Sequence, residues 1–170
     1  MNGAVSYTDG KYVSFVNAPV PLEETGGESA FKDVSGGVLP GISKWAGSIG
    51  GEYTTGGKFI SLKGNYFVAF DAYFRSSFSS SASPSQFLNI DGYALVHGRV
   101  GFRASNGRSI LVWGRNLLNQ NYFEQLLPAA GSAGQYAAVL GDPGTYGTTS
   151  KIYFLMRIKR FRDYKLNKNG

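Results

Sequence analysis

The chain offers little to chemistry of bond breaking. It has eleven carboxylates, one histidine and no cysteine. Without cysteine, a disulfide scaffold and a Cys-ligated zinc site are both excluded. No Gly-x-Ser-x-Gly run occurs, and His97 has no nucleophile beside it in a recognisable setting. Glu23, Glu24, Glu28 and Asp33 gather in one polar stretch. Such a cluster can meet a cation, but it reads first as a solvated loop. The glycines of 131–147 are not followed by Gly-Lys-Ser/Thr and open no helix, so they form no phosphate cradle. They suit an exposed loop that must turn. No catalytic residue, cofactor or metal ligand is assigned, and the expected function is not enzymatic.

The elements that carry these residues are strands. The 170 residues are 42% hydrophobic and 15% aromatic, too rich for a disordered chain. No run approaches the ~18 apolar residues of a membrane helix. The opening MNGAVSYTDG has neither a basic nor an apolar leader segment, so no signal peptide is expected in it. The net charge of +6 is local: residues 151–170 hold seven bases and one acid, and the preceding 150 balance at ten and ten. A basic cleft for nucleic acid is therefore not expected.

Period-two alternation marks strands with two unlike faces. In 93–103, Tyr93, Leu95, His97, Arg99 and Arg103 share one face; Ala94, Val96, Gly98, Val100 and Phe102 share the other. In 65–75, Tyr66, Val68, Phe70, Ala72 and Phe74 oppose Asn65, Phe67, Ala69, Asp71, Tyr73 and Arg75. Weaker alternation covers 45–53 and 146–154. Segments 5–16 and 109–118 read as strands of unclear facing. Thr-Gly-Gly-Lys at 55–58 and Ser-Asn-Gly-Arg at 105–108 read as tight turns. The connectors 17–41, 76–91 and 121–145 are long and polar, which is unusual inside a compact soluble domain.

The predicted fold is all-β: an antiparallel meander of about six strands, with long loops at one end and tight turns at the other. That asymmetry, an apolar face and aromatics near strand ends fit a transmembrane β-barrel. A soluble β-sandwich binding carbohydrate or another ligand is the alternative. A small pore completed by oligomerisation is a third reading.

Four segments carry a resemblance to a family. Arg-Asn-Leu-Leu-Asn-Gln-Asn-Tyr-Phe (115–123) resembles the asparagine-leucine motif near the C-terminus of TonB-dependent outer-membrane receptors. Residues 141–154, ending in Phe154, are similar to that family's final strand, and 33–45 and 7–12 are similar to its late-barrel strands. The resemblance is nearest to ferric-siderophore receptors and spans about residues 5–154. It implies that 1–154 is the C-terminal portion of a 22-stranded barrel, located in the cell outer membrane. The implied partners are a ferric siderophore or similar ligand, outer-membrane lipid, and TonB through an N-terminal part outside this sequence. It also implies ligand contact at the loop end of the barrel, where Tyr73, Arg75 and Tyr93 lie on the polar faces nearest loop 76–91. Aromatic rings give rigid contact, and arginine pairs with carboxylate or catecholate oxygens. Residues 155–170 depart from the family pattern and are expected to be a basic tail, disordered, either the product of a frameshift or read-through or a periplasmic extension.

Overall fold

The structure is a computed structural model and describes residues 1–131 and 134–152. Its strands are β1 (Asn2–Tyr7), β2 (Ala18–Pro19), β3 (Phe31–Lys32), β4 (Trp45–Phe59), β5 (Leu62–Arg75), β6 (Phe78–Ser79), β7 (Asn89–Ile90), β8 (Tyr93–Ala104), β9 (Arg108–Arg115), β10 (Phe123–Pro128), β11 (Tyr136–Leu140) and β12 (Thr145–Ile152). Six of them form one antiparallel sheet in the order β1-β4-β5-β8-β9-β12. The sheet is an open meander and does not close. Its long connectors all leave from one end and its two tight turns lie at the other.

Register assigns the faces, because directly opposed residues in an antiparallel pair share a side. Tyr53, Val68, Val100 and Val112 fall in one cross-strand row. Phe74 opposes Gly47, and Tyr66 opposes Phe102. Followed across all six strands, this face has one charged residue among those described, Arg108, which sits beside a tight turn. The opposite face carries Glu52, Lys58, Lys63, Asp71, Arg75, Arg99, Arg103, Arg115 and Lys151. The two-face reading of 65–75 and 93–103 therefore holds through every register.

The uncharged face is bare. Val68 is 53% and Val100 54% exposed, with Phe70, Ile49, Val112 and Tyr146 in the same condition. Among the described residues no second sheet covers it. Aromatic rings band it at both levels. Tyr7 packs on Trp45 at 4.8 Å near the loop end, and Tyr66 on Phe102 at 4.8 Å and Phe59 on Phe102 at 5.6 Å near the turns.

Two expected boundaries move. Thr-Gly-Gly-Lys at 55–58 is not a turn but lies inside β4; the turn is Ile60–Ser61, both at positive φ (45° and 68°), between the paired Phe59 and Leu62. The glycine at 57 serves packing instead: a Cβ there would come within 2.6 Å of the Tyr66 ring. That ring lies across it and donates its hydroxyl to the Lys58 carbonyl at 2.7 Å. The expected strand at 5–16 is also displaced. β1 is Asn2–Tyr7, because its partner β4 begins only at Trp45, opposite Tyr7. The turn at 105–108 stands, with Gly107 at φ 85° and Asn106 accepting the Arg108 N–H at 3.2 Å through its side chain.

The long connectors are not structureless, contrary to expectation. Each contains a small hairpin: β2 with β3, β6 with β7, and β10 with β11. Within them Ala18, Phe78, Leu88 and Ile90 are buried. Burying these side chains stabilises the loops by roughly 1.5–3 kcal/mol for each large one. Phe154 and the tail at 155–170 lie outside the described residues.

Candidate functional site

The polar face meets the loops at the upper ends of β5, β8 and β9. Tyr73, Arg75 and Tyr93 are all there, and Arg75 opposes Tyr93 in register. The rings of Tyr73 and Tyr93 lie edge to face at 6.4 Å, and Tyr122 joins them from the third long connector at 4.4 Å from Tyr93. Burial, and next the charge of Glu124, push the Tyr122 phenol above its ordinary pKa. Arg75 is turned away from this group. Its Nε donates to Ser43 Oγ at 2.8 Å, its Nη2 to the Gly41 carbonyl at 2.9 Å, and its guanidinium stacks 3.6 Å over the Phe78 ring. The aromatic pair is thus brought together, while Arg75 pins the 41–44 segment and β6 to the sheet.

Below the tyrosines lies a cavity of about 820 Å³, running over β8, β9 and β12. A second cavity of about 470 Å³ toward the tight turn shares Arg99, Leu111 and Lys151 with it. His97 is oriented rather than free in the upper cavity. Its Nδ1 accepts the Asn116 backbone N–H at 3.1 Å, so in the neutral ring the proton sits on Nε2. Trp113 donates its indole N–H to Thr149 Oγ1 at 3.2 Å. Its ring lies over Gly147, where a Cβ would approach within 2.5 Å. At the turn end, Arg103 holds Glu52 through two bonds of 2.5 and 3.0 Å and stacks 3.7 Å over Phe67, which is 3% exposed.

Asn116 fixes the cavity's upper rim. It is 2% exposed and at φ 47°, a conformation asparagine tolerates better than most residues. Its Nδ2 donates to the Gln120 and Asp142 carbonyls at 2.9 and 3.0 Å, and its Oδ1 accepts the Gln120 N–H at 2.9 Å. Asn119, at φ 48°, accepts the Gly144 N–H at 3.0 Å. The two asparagines of the 115–123 run therefore lock the end of β9 to the approach of β12. Sequence alternation had placed Arg99 on the polar face. Trp113, Arg115 and Asn116 were not assigned, because the facing of 109–118 was not readable.

The three long loops are tied by one carboxylate. Ser85 Oγ donates to Glu23 Oε1 at 2.6 Å, and the Tyr136 hydroxyl donates to Glu23 Oε2. The same hydroxyl lies 3.1 Å from Ser85 Oγ and accepts the Leu22 N–H at 3.3 Å. Glu24, beside this knot, is held by Lys32 at 2.7 Å. Desolvation works to raise the Glu23 pKa, but the bonds from Ser85 and Tyr136 together hold it below the ordinary glutamate value. A depressed carboxylate pKa stabilises the folded arrangement above the unfolded value and loses that contribution as pH falls through the folded value. The loops are accordingly expected to loosen as pH drops below about 4.3. Proteolytic nicking within 17–41 should accelerate there. Glu23→Gln should show the fast rate already at neutral pH; an unchanged rate across both comparisons would remove the knot as the cause.

Among the described residues, no three His, Asp or Glu side chains gather as a metal site. What the face can do is recognise: rings, fixed donors and cations line a recess open to solvent. No family model, no curated protein and no solved structure matches the chain.

Proposed function

We propose that this chain supplies six adjoining strands in the wall of an outer-membrane β-barrel, and that the barrel is a TonB-dependent receptor taking up a ferric siderophore or a similarly bulky ligand. The observation that carries the reading is the bare, nearly charge-free face of the six-stranded sheet, backed by a face that holds the charges. In water such a face costs free energy; in hydrocarbon it is the favoured surface. A soluble sandwich would need a second layer over Val68, Phe70 and Val100, and these remain exposed.

Three further features agree. β4, with 15 residues, and β5, with 14, exceed the ~9–11 that a tilted strand needs to cross a bilayer. Aromatic rings sit at two levels, as interfacial girdles do. β1 and β12 each leave one edge without a partner among the described strands. Lipid does not tolerate open edges, so more strands must continue the wall. Ligand would enter from the loop end past Tyr73, Tyr93 and Tyr122. Coupling to TonB would reside outside this sequence.

The chain's two tryptophans test the reading, because Trp45 lies on the bare face and Trp113 on the polar one. Single-tryptophan chains (Trp113→Phe and Trp45→Phe) would be refolded into vesicles of phosphatidylcholine brominated high on its acyl chains, where the two open edges of each sheet can pair with those of other copies. Strong quenching of Trp45 with little of Trp113, and the reverse with aqueous iodide, is expected. A water-soluble monomer whose Trp45 ignores the brominated lipid would overturn the proposal.

A further inference from the structure

We infer that Arg99, Arg115 and Lys151, with the Trp113 ring between them, form a subsite for a ligand bearing clustered anionic oxygens, carboxylate or phosphate. The inference deepens the receptor reading and rests on it for the direction of entry, but it stands on its own observations.

The first observation is unbalanced charge. On the polar face of β8, β9 and β12 the charged side chains are Arg99, Arg103, Arg115 and Lys151, and no carboxylate shares these three strands. The ion pairs within 4 Å among the described residues are Lys11–Asp9, Lys32–Glu24 and Arg103–Glu52. Among the described residues Arg99, Arg115 and Lys151 therefore have no carboxylate partner at that distance. Arg99 and Arg115 are diagonal neighbours across β8 and β9, a spacing their long side chains can span. Asp71 and Asp142 border the same cavity. Asp71 lies on β5 opposite His97, and Asp142 lies in the loop beneath Tyr122, its carbonyl engaged by Asn116. Against these two carboxylates the cavity lining carries three cations, an excess of one positive charge.

The second observation is shape. All three cations line the cavity of about 820 Å³, a volume that admits a small organic anion. Trp113 opposes Arg99 in register and is fixed by its bond to Thr149, so its ring is an immobile wall. Arg115 lies 5.6 Å from the same ring. His97 adds an Nε2 proton donor from above. Arginine forks suit oxygens presented in pairs, and two forks flanking an aromatic wall favour a compact polyanion over a single chloride.

The test uses the full chain with Trp45→Phe, so that Trp113 is the sole reporter, in detergent. Citrate and inorganic pyrophosphate are the two probes; they separate carboxylate from phosphate recognition. A saturable change in Trp113 emission with at least one of them is expected. Arg99→Gln and Arg115→Gln should each weaken it roughly tenfold, as loss of a charge-assisted hydrogen bond does. Lys58→Gln, on the same face but away from the cavity, should leave it unchanged. No saturable response to either probe would overturn the inference, as would equal weakening by Lys58→Gln, which would mark diffuse attraction. Lipid quenching of Trp45 without anion binding would leave the receptor reading standing and remove only this subsite. Anion binding by a lipid-indifferent chain would do the reverse.

Discussion

Val100→Arg is expected to destabilise the chain sharply in vesicles. Val100 sits between Val68 and Val112 in the centre of the uncharged face and is 54% exposed. If that face meets hydrocarbon, an arginine at mid-depth costs about 2–4 kcal/mol. If it meets water, an arginine at a half-exposed strand position costs only about 0.5 kcal/mol. The same substitution therefore separates the two solvents by a large margin. Ser48→Arg is the control, since Ser48 is exposed on the polar face opposite Tyr73. Both variants would be unfolded from vesicles by urea. The expected result is a midpoint for Val100→Arg well below those of the wild type and Ser48→Arg. Equal midpoints for the two variants would end the lipid assignment.

Asn116→Ala should be the most damaging change at the candidate site. The side chain makes three hydrogen bonds, two donated and one accepted, and it is buried. Alanine removes them and leaves the Gln120 N–H and two carbonyls without these partners. At about 0.5–1.5 kcal/mol for each bond, and with a left-handed φ that alanine disfavours by about 1–2 kcal/mol, the expected loss is about 2.5–6.5 kcal/mol. Asn116→Asp keeps the acceptor and loses both donors, so it should fall between. Urea unfolding gives the free energy, and amide exchange at Gln120 and Gly144 locates it. A loss under about 1 kcal/mol for alanine would show that the turn is held by other contacts, such as the Leu117 N–H bond to the Val96 carbonyl at 2.8 Å.

These two experiments probe different things. The first asks what surrounds the sheet, which the five registers frame but do not answer. The second asks whether one side chain sets the loop that closes the upper cavity. The asparagine-leucine run at 115–123 marked that loop as special on sequence grounds. The structure gives a local reason: both Asn116 and Asn119 occupy positive φ and use their amides to hold backbone across the gap to β12.

Strand identity, the two faces and the loop–turn asymmetry were legible in the residues because side chains alternate with period two. A run such as 93–103 can satisfy an apolar and a polar neighbour in only one way. Turn position was less legible. Gly56 and Gly57 look like a turn, yet an aromatic ring on the adjacent strand needed the space above Gly57, and Ile60–Ser61 took the bend. The loop hairpins and their buried Phe78, Leu88 and Ile90 were hidden for a similar reason: two-residue strands have no periodicity to read, and only contacts between distant segments create them. The site divides the same way. Tyr73, Arg75 and Tyr93 could be placed on one face from alternation alone. That Arg75 would spend its donors on Ser43 and Gly41, and that Trp113, Arg115 and Lys151 would share a cavity with Arg99, depended on pairing among β8, β9 and β12. Local pattern determines which side of a strand a residue occupies; which residues face one another across strands is decided by register, a property of the folded sheet.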